Sequence, residues 1–319
     1  MSKQHQTCLV CGERLEEPHV YGDRLYCETH LSQFSDDLAA LWQTGLLILL
    51  SLAVLVGTIA IANAVAPNPS GPTRLLANAL VIGLPSIGWL ILITQRLDGE
   101  DGAAPSLVSA LFVLGSLMAA AVVRPLTNEI LALGGRLAAT SPANRFVANV
   151  LILGMLHAFV LYGIVRYSVW RTTSFSLRVH GVLYASAAGL GYAATQVGLF
   201  ALERGGLSML SGGLTLLTRA LPFATASLIV GYFLGINRFE NQPFYYLPSG
   251  VALAGAVCGV LLYAGTELNN IRLNITTDGF SPWPGFVVNV LALTIAFGAV
   301  YGLLQRQNTI TKARLRLRG

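Results

Sequence analysis

Charge is what this sequence has least of. Asp, Glu, Lys and Arg together make up 11% of its 319 residues, against about 25% in an ordinary soluble domain. So few polar side chains cannot wet the surface of a globule this size, which excludes a soluble domain as the bulk of the chain. Cysteine is scarce as well: there are four, three of them in the first thirty positions and the last, Cys258, in an apolar stretch. That distribution excludes a disulfide framework and reads as a metal site. An apolar leader is also missing. The first apolar stretch starts near residue 42, so no cleavable signal peptide is expected.

What is abundant is grease, in blocks of one length. Hydrophobic residues are 54% of the chain, and they gather into stretches of about 20 residues, the length that crosses a bilayer as a helix. Eight such stretches are expected: Leu46–Ala66, Leu75–Thr94, Ala104–Val123, Phe146–Val165, Gly181–Leu202, Ala220–Ile236, Pro248–Gly265 and Gly285–Leu304. Residues 124–144 and 206–218 read as interfacial segments between them. The fold class is therefore an all-α, polytopic membrane helix bundle with a small N-terminal zinc-binding module. Residues 1–31 form that module, 32–41 a linker, 42–305 the transmembrane domain and 306–319 a basic tail.

The Lys and Arg residues set an orientation. With eight spans both termini share a side, and that side holds thirteen of the twenty basic residues against seven opposite. The positive-inside rule then predicts both termini in the cytoplasm, in what reads as a bacterial inner (plasma) membrane. The tail (Arg306, Lys312, Arg314, Arg316, Arg318) suits anionic headgroups. No aromatic residues interleave with its arginines to stack on bases, so no nucleic-acid partner is expected. Asn274-Ile-Thr276 forms a glycosylation sequon on the predicted outer side. Small residues recur every fourth position in the fifth span (Gly181, Ala185, Gly189, Ala193) and the sixth (Ser227, Gly231, Gly235), a pattern that lets helix backbones approach closely. These two spans are expected to form the tight centre.

Near the N-terminus, Cys8-Leu-Val-Cys11-Gly12 precedes Tyr26-Cys27-Glu-Thr-His30. Two ligand pairs of spacing x2 suit one tetrahedral zinc, each pair gripping the metal from a tight turn. Cys8, Cys11, Cys27 and His30 would fill the coordination sphere, which makes the ion structural. His19 is an alternative ligand of poorer spacing. The stretch resembles half of a LIM or treble-clef finger, and a module this short depends on its metal to fold. Its expected use is to dock a cytoplasmic protein.

Polar residues inside spans are costly and so are functional candidates. They are few: Asn78, His157, Gln196, Asn289 and hydroxyls such as Thr195, Thr225 and Ser227, with no Asp or Glu inside any expected span. His157 is expected to be a satisfied packing residue, Gln196 to bond between helices, and His180 to be solvated at an interface.

The stretch from His180-Gly-Val-Leu-Tyr184 through Leu190-Gly191-Tyr192-Ala-Ala-Thr-Gln196 resembles a signature helix of the PrsW family of intramembrane metalloproteases, Asp-Gly-x-x-Tyr-Gly-x-x-x-x-Leu-Gly-Phe-Ala-x-x-Glu. Leu221-Pro-Phe223-Ala224, followed by Gly231-Tyr-Phe-Leu-Gly235, is similar to the next signature, where His-Ala opens a helix reaching Gly-Tyr. Counted back from Tyr192, the family's Glu-Glu-x-x-Lys falls at His157-Ala158-Phe-Val-Leu161. The resemblance covers about residues 145–240. It implies a metalloprotease fold in which the carboxylates and histidine have become His157, Ala158, Gln196 and Phe223. One imidazole and one amide cannot hold a catalytic zinc, which needs about three good protein ligands, and no carboxylate remains as general base.

The expectation is therefore a non-catalytic binder or scaffold of transmembrane protein partners in the lipid bilayer. The alternatives are an active intramembrane metalloprotease with displaced ligands, and a transporter or accessory subunit of a membrane complex.

Overall fold

The structure is a computed structural model, and it describes residues 7–8, 13–15, 19–21, 24–28, 36–65, 71–97, 105–132, 136, 140–240, 242–270 and 281–316. Among these, eight helices are long and apolar enough to cross a membrane. We number them α1 (Asp36–Val65), α2 (Gly71–Leu97), α3 (starting at Pro105), α4 (Pro142 to Ser168), α5 (Arg178–Glu203), α6 (Met209–Phe239), α7 (Tyr246–Asn270) and α8 (Trp283–Arg316). The protein is an all-α, multi-pass bundle. Large apolar side chains such as Leu50, Val54, Leu84, Phe159 and Ile295 stand exposed along the outer helices. Apolar surface on that scale belongs against lipid tails, and helices suit it because they satisfy their own backbone polar groups.

Several expected boundaries move. Helix α3 continues as π-helical turns through Ala119–Val123 and Leu126–Ile130, so the residues just after Val123 extend the third span and are not an interfacial segment. The segment expected at 206–218 is interfacial only to Ser208. From Met209 onward it is the first part of one continuous helix. Helices α5 and α7 also run on to Glu203 and Glu267, outside the expected spans, where each acid meets an arginine: Glu203 pairs with Arg124, and Glu267 with Arg145 at 3.1 Å. Pairing at the helix ends lets a span carry an acid that composition alone would place in a loop. The sequon at Asn274 lies outside the described residues.

Helices α5 and α6 form the centre. Of the most apolar 18-residue window, 50% is buried in α5 and 67% in α6, while no other span exceeds 33%. The small-residue stripes explain why. A Cβ on Gly231 would lie 2.5 Å from the Gly181 carbonyl oxygen, and one on Gly181 only 2.7 Å from the Gly235 backbone nitrogen. The two backbones therefore touch where no side chain intervenes. Gly191 meets Phe112 of α3 in the same way, and Gly154 meets Gly255 and Gly259 of α7. Around this centre α3, α4, α7 and α8 pack, while α1 and α2 lie more peripherally.

The N-terminal region contributes a two-stranded antiparallel hairpin, β1 (His19–Tyr21) and β2 (Arg24–Tyr26). The Cys8 N–H donates to the Glu13 carbonyl oxygen (2.8 Å), and Cys27 directly follows β2. Cys11 and His30 lie outside the described residues. The hairpin sits on the bundle: Tyr26 is fully buried and its hydroxyl donates to the Ser176 carbonyl oxygen (3.1 Å) in the loop between α4 and α5. That loop, the hairpin and the end of α8 share one side, where Arg178 pairs with Glu240 (2.7 Å) and donates to Asn308 (3.4 Å). We call this the termini side and the opposite face the far side.

His180 corrects an expectation here. It is fully buried, and its Nδ1 accepts from the Ser176 backbone N–H (3.2 Å) at the start of α5, so it caps a helix where solvation had been expected. Asn78 exchanges two hydrogen bonds with Leu207, at 2.6 and 3.3 Å, tying α2 to the α5–α6 turn. Thr225 and Ser227 donate to carbonyls of their own helix. All of these are structural roles.

The backbone contact sets a clear prediction. Gly231→Leu should lower the thermal midpoint of the detergent-purified protein sharply, since overpacking a filled core costs about 1–3 kcal/mol or more. Gly57→Leu, at an exposed position of α1 with nothing within 4 Å of its added Cβ, should leave it unchanged. Equal midpoints for the two variants would argue against the α5–α6 contact.

Candidate ligand-binding cavity

The close crossing fixes what lies beyond it. Toward the far side, Gly189 of α5 meets Ser227 of α6. One turn further, helical spacing brings Tyr192 of α5 against Phe223 of α6. Their ring centroids are 5.3 Å apart and nearly perpendicular, at 76°. Helix α4 supplies the third member. It passes through a π-helical stretch, Asn149–Gly154, before resuming at Met155. Three residues past that stretch, His157 enters the cluster, 4.8 Å from the Phe223 ring and 5.6 Å from that of Tyr192. Edge-to-face packing of this kind is the favoured geometry for aromatic rings.

The Tyr192 hydroxyl joins the polar groups of the cluster. His157 Nδ1 is hydrogen-bonded to the Tyr192 hydroxyl, and Gln196 Nε2 donates to the same oxygen (3.4 Å). Gln196 therefore reaches one turn back along its own helix and does not bridge two helices as expected. Ala158, the neighbour of His157, is fully buried in the apolar core and does not line the cavity.

His157, Gln196 and Phe223 thus converge, and they line one cavity of about 630 Å³. It runs from these residues near mid-span to the far-side ends of α3, α5, α6 and α7. Both π-helical regions border it, through Thr127 and Asn128 on α3 and through Asn149 and Leu153 on α4. Such turns swell a helix by one residue and often mark functional sites. A second, smaller cavity of about 140 Å³ between α1, α2, α5, α6 and α8 is almost wholly apolar.

The mouth of the larger cavity is cationic. Arg124, Arg204 and Arg219 line it with a single carboxylate, Glu203, which Arg124 already engages. Arg204 and Arg219 each place the guanidinium carbon 3.8 Å from the centroid of the Phe200 ring. The sequence reading missed these three residues. It ended the fifth span at Leu202 and began the sixth at Ala220, so Arg204 and Arg219 fell into loops. One signal was available: a cation ten residues into an otherwise apolar helix has to face protein or water.

The donor set at the floor does not fit a catalytic zinc. It offers one imidazole, with one nitrogen committed to Tyr192, and one amide. Among the described residues no three metal-ligating side chains gather anywhere. Comparison of the chain with protein-family models, with curated proteins and with solved structures found no match.

Tyr192→Phe tests the floor. Leaving the buried His157 nitrogen without its partner should cost about 1–3 kcal/mol, seen as a lowered thermal midpoint. Replacing both partners, with Tyr192→Phe and His157→Leu together, should restore part of the loss. A double variant worse than the sum of its singles would speak against a coupled pair.

Proposed function

We propose that this chain is a membrane protein that binds where its relatives would cut: a PrsW-like helical core turned into a ligand-binding cavity. The observation that carries this reading is the convergence of His157, Gln196 and Phe223, from three different helices, on one cavity floor. Those are three of the four positions to which the resemblance assigns the family's metal ligands, and they lie 35 or more residues apart along the chain in two cases. The fourth, Ala158, faces the core. A floor of aromatic rings, one imidazole and one amide lacks the carboxylates that would hold a catalytic zinc beside His157, so recognition is the chemistry it supports best.

The N-terminal module completes the reading. One structural zinc held by Cys8, Cys11, Cys27 and His30 would stiffen it, a reading supported by the Cys8–Glu13 backbone hydrogen bond and by the paired strands that lead into Cys27. Both termini lie in the cytoplasm on this reading. The buried Tyr26 then couples the module to the α4–α5 loop, so a cytoplasmic partner on the module is linked to the helix that carries Tyr192 and Gln196.

Restoring the lost ligands tests the core. The His157 and Phe223 rings stand 4.8 Å apart, close to the roughly 5 Å expected for two imidazoles sharing a tetrahedral zinc with Zn–N bonds of about 2.0–2.1 Å. Metal analysis of the purified protein should give one zinc per chain, lost in Cys8→Ser. The Gln196→Glu, Phe223→His variant should gain a second equivalent that His157→Ala removes. If the restored variant takes up no further zinc, the metalloprotease ancestry of this cavity is wrong. If the unaltered protein cleaves a transmembrane peptide and a chelator stops it, the non-catalytic reading is wrong.

A further inference from the structure

The mouth of the cavity has a charge excess that its own walls leave uncompensated. Arg204 and Arg219 both pack on Phe200, so their guanidiniums stand within twice 3.8 Å of each other. Like charges at that range repel, most of all where lipid and protein lower the dielectric. Among the described residues neither arginine has an acidic partner, because the only carboxylate lining the cavity, Glu203, is taken by Arg124. Arg204 is exposed, while Arg219 is half-buried and sits well inside α6. A cation at that depth is costly and marks a pathway or a ligand site by default.

The surroundings say what kind of ligand. Stacking on a ring uses one face of each guanidinium and leaves its in-plane N–H donors free. Two such forks at one cavity mouth offer more donors than a single carboxylate can accept, and match the several acceptor oxygens of a phosphate group better. Ser208, Ser211, Thr215 and Arg219 recur at three- and four-residue spacing and all line the cavity, so α6 presents one continuous face of hydroxyls leading to the deeper arginine. Below them the wall turns apolar at Phe223, Leu153 and Leu262.

We propose that Arg204 and Arg219, held together over Phe200, form a binding site for a phosphate-bearing anion entering from the far side. The site deepens the binding reading above by naming its ligand class. It rests on the cavity and its charges, not on the family resemblance, so its failure is distinct from a failure of the zinc-restoration experiment. Two sources carry the same chemistry: a soluble phosphate compound, or the headgroup of an anionic lipid whose tails lie against the bundle.

The full chain in nanodiscs provides the test. In phosphatidylcholine discs, inorganic phosphate is titrated by calorimetry. In discs that also contain phosphatidylglycerol, lipid that stays bound is counted by native mass spectrometry. Wild-type protein should take up phosphate, retain phosphatidylglycerol over phosphatidylcholine, or both. Uptake of phosphate assigns a soluble ligand, and retention of lipid alone assigns a headgroup. Either response should weaken about tenfold or more in Arg204→Gln and in Arg219→Gln. It should persist in Arg136→Gln, an exposed far-side arginine outside the cavity. Arg204 is exposed, so its variant keeps the test alive if Arg219→Gln fails to fold. The proposal is overturned if wild-type protein responds to neither probe, or if the Arg204→Gln variant responds as strongly as wild type.

Discussion

The rest of this structure depends on two helices touching backbone to backbone. In a bilayer, lipid tails are as apolar as leucine, so burying grease gives little reason for one helix to choose another. Contact has to come from close packing. Gly181, Gly231 and Gly235 supply it by offering no side chain at all, and α5 and α6 cross at van der Waals range. Once that crossing is fixed, helical periodicity dictates the next turns. Gly189 sits on Ser227, and Tyr192 then has to meet Phe223. The cavity floor is a geometric consequence of glycines several turns away.

The other helices make use of this centre. Helix α3 leans on Gly191, and α4 lies against α7 through Gly154, Gly255 and Gly259. Both α3 and α4 relax into π-helical turns along the edge of the cavity. A helix that packs tightly on one face and lines open space on another has reason to swell there. Charges then collect at the far-side rim. Arg145 and Glu267 close α4 onto α7, Arg124 and Glu203 close α3 onto α5, and Arg204 and Arg219 remain over Phe200 with a positive charge to spare.

Much of this was legible in the sequence, and unevenly so. All eight spans follow from hydropathy, because a run of about 20 apolar residues has few other uses. The glycine stripes pointed to α5 and α6 as the centre. The convergence of His157, Gln196 and Phe223 was expected only through the resemblance, since residues so far apart in sequence carry no local signal of contact. Three things were misread. Span ends were set too short wherever a charge appeared, because Glu203 and Glu267 are neutralised by partners from other helices. Arg219 was read as a boundary, although its charge faces a polar cavity while its helix continues past it. His180 was read as wet because it falls at the membrane interface where the fifth span was expected to start, yet the loop before it folds back and buries it.

Water should follow the cavity from the far side to the middle of the membrane and stop at the His157–Tyr192–Phe223 cluster. Thiol labelling in sealed vesicles of known orientation measures this most directly. A cysteine at the half-buried Gln196 should react with a membrane-impermeant reagent added on the side opposite the termini, and a cysteine at the exposed, lipid-facing Val54 should not. Failure of the Gln196→Cys variant to react from that side, or its reaction from the termini side alone, would contradict the account.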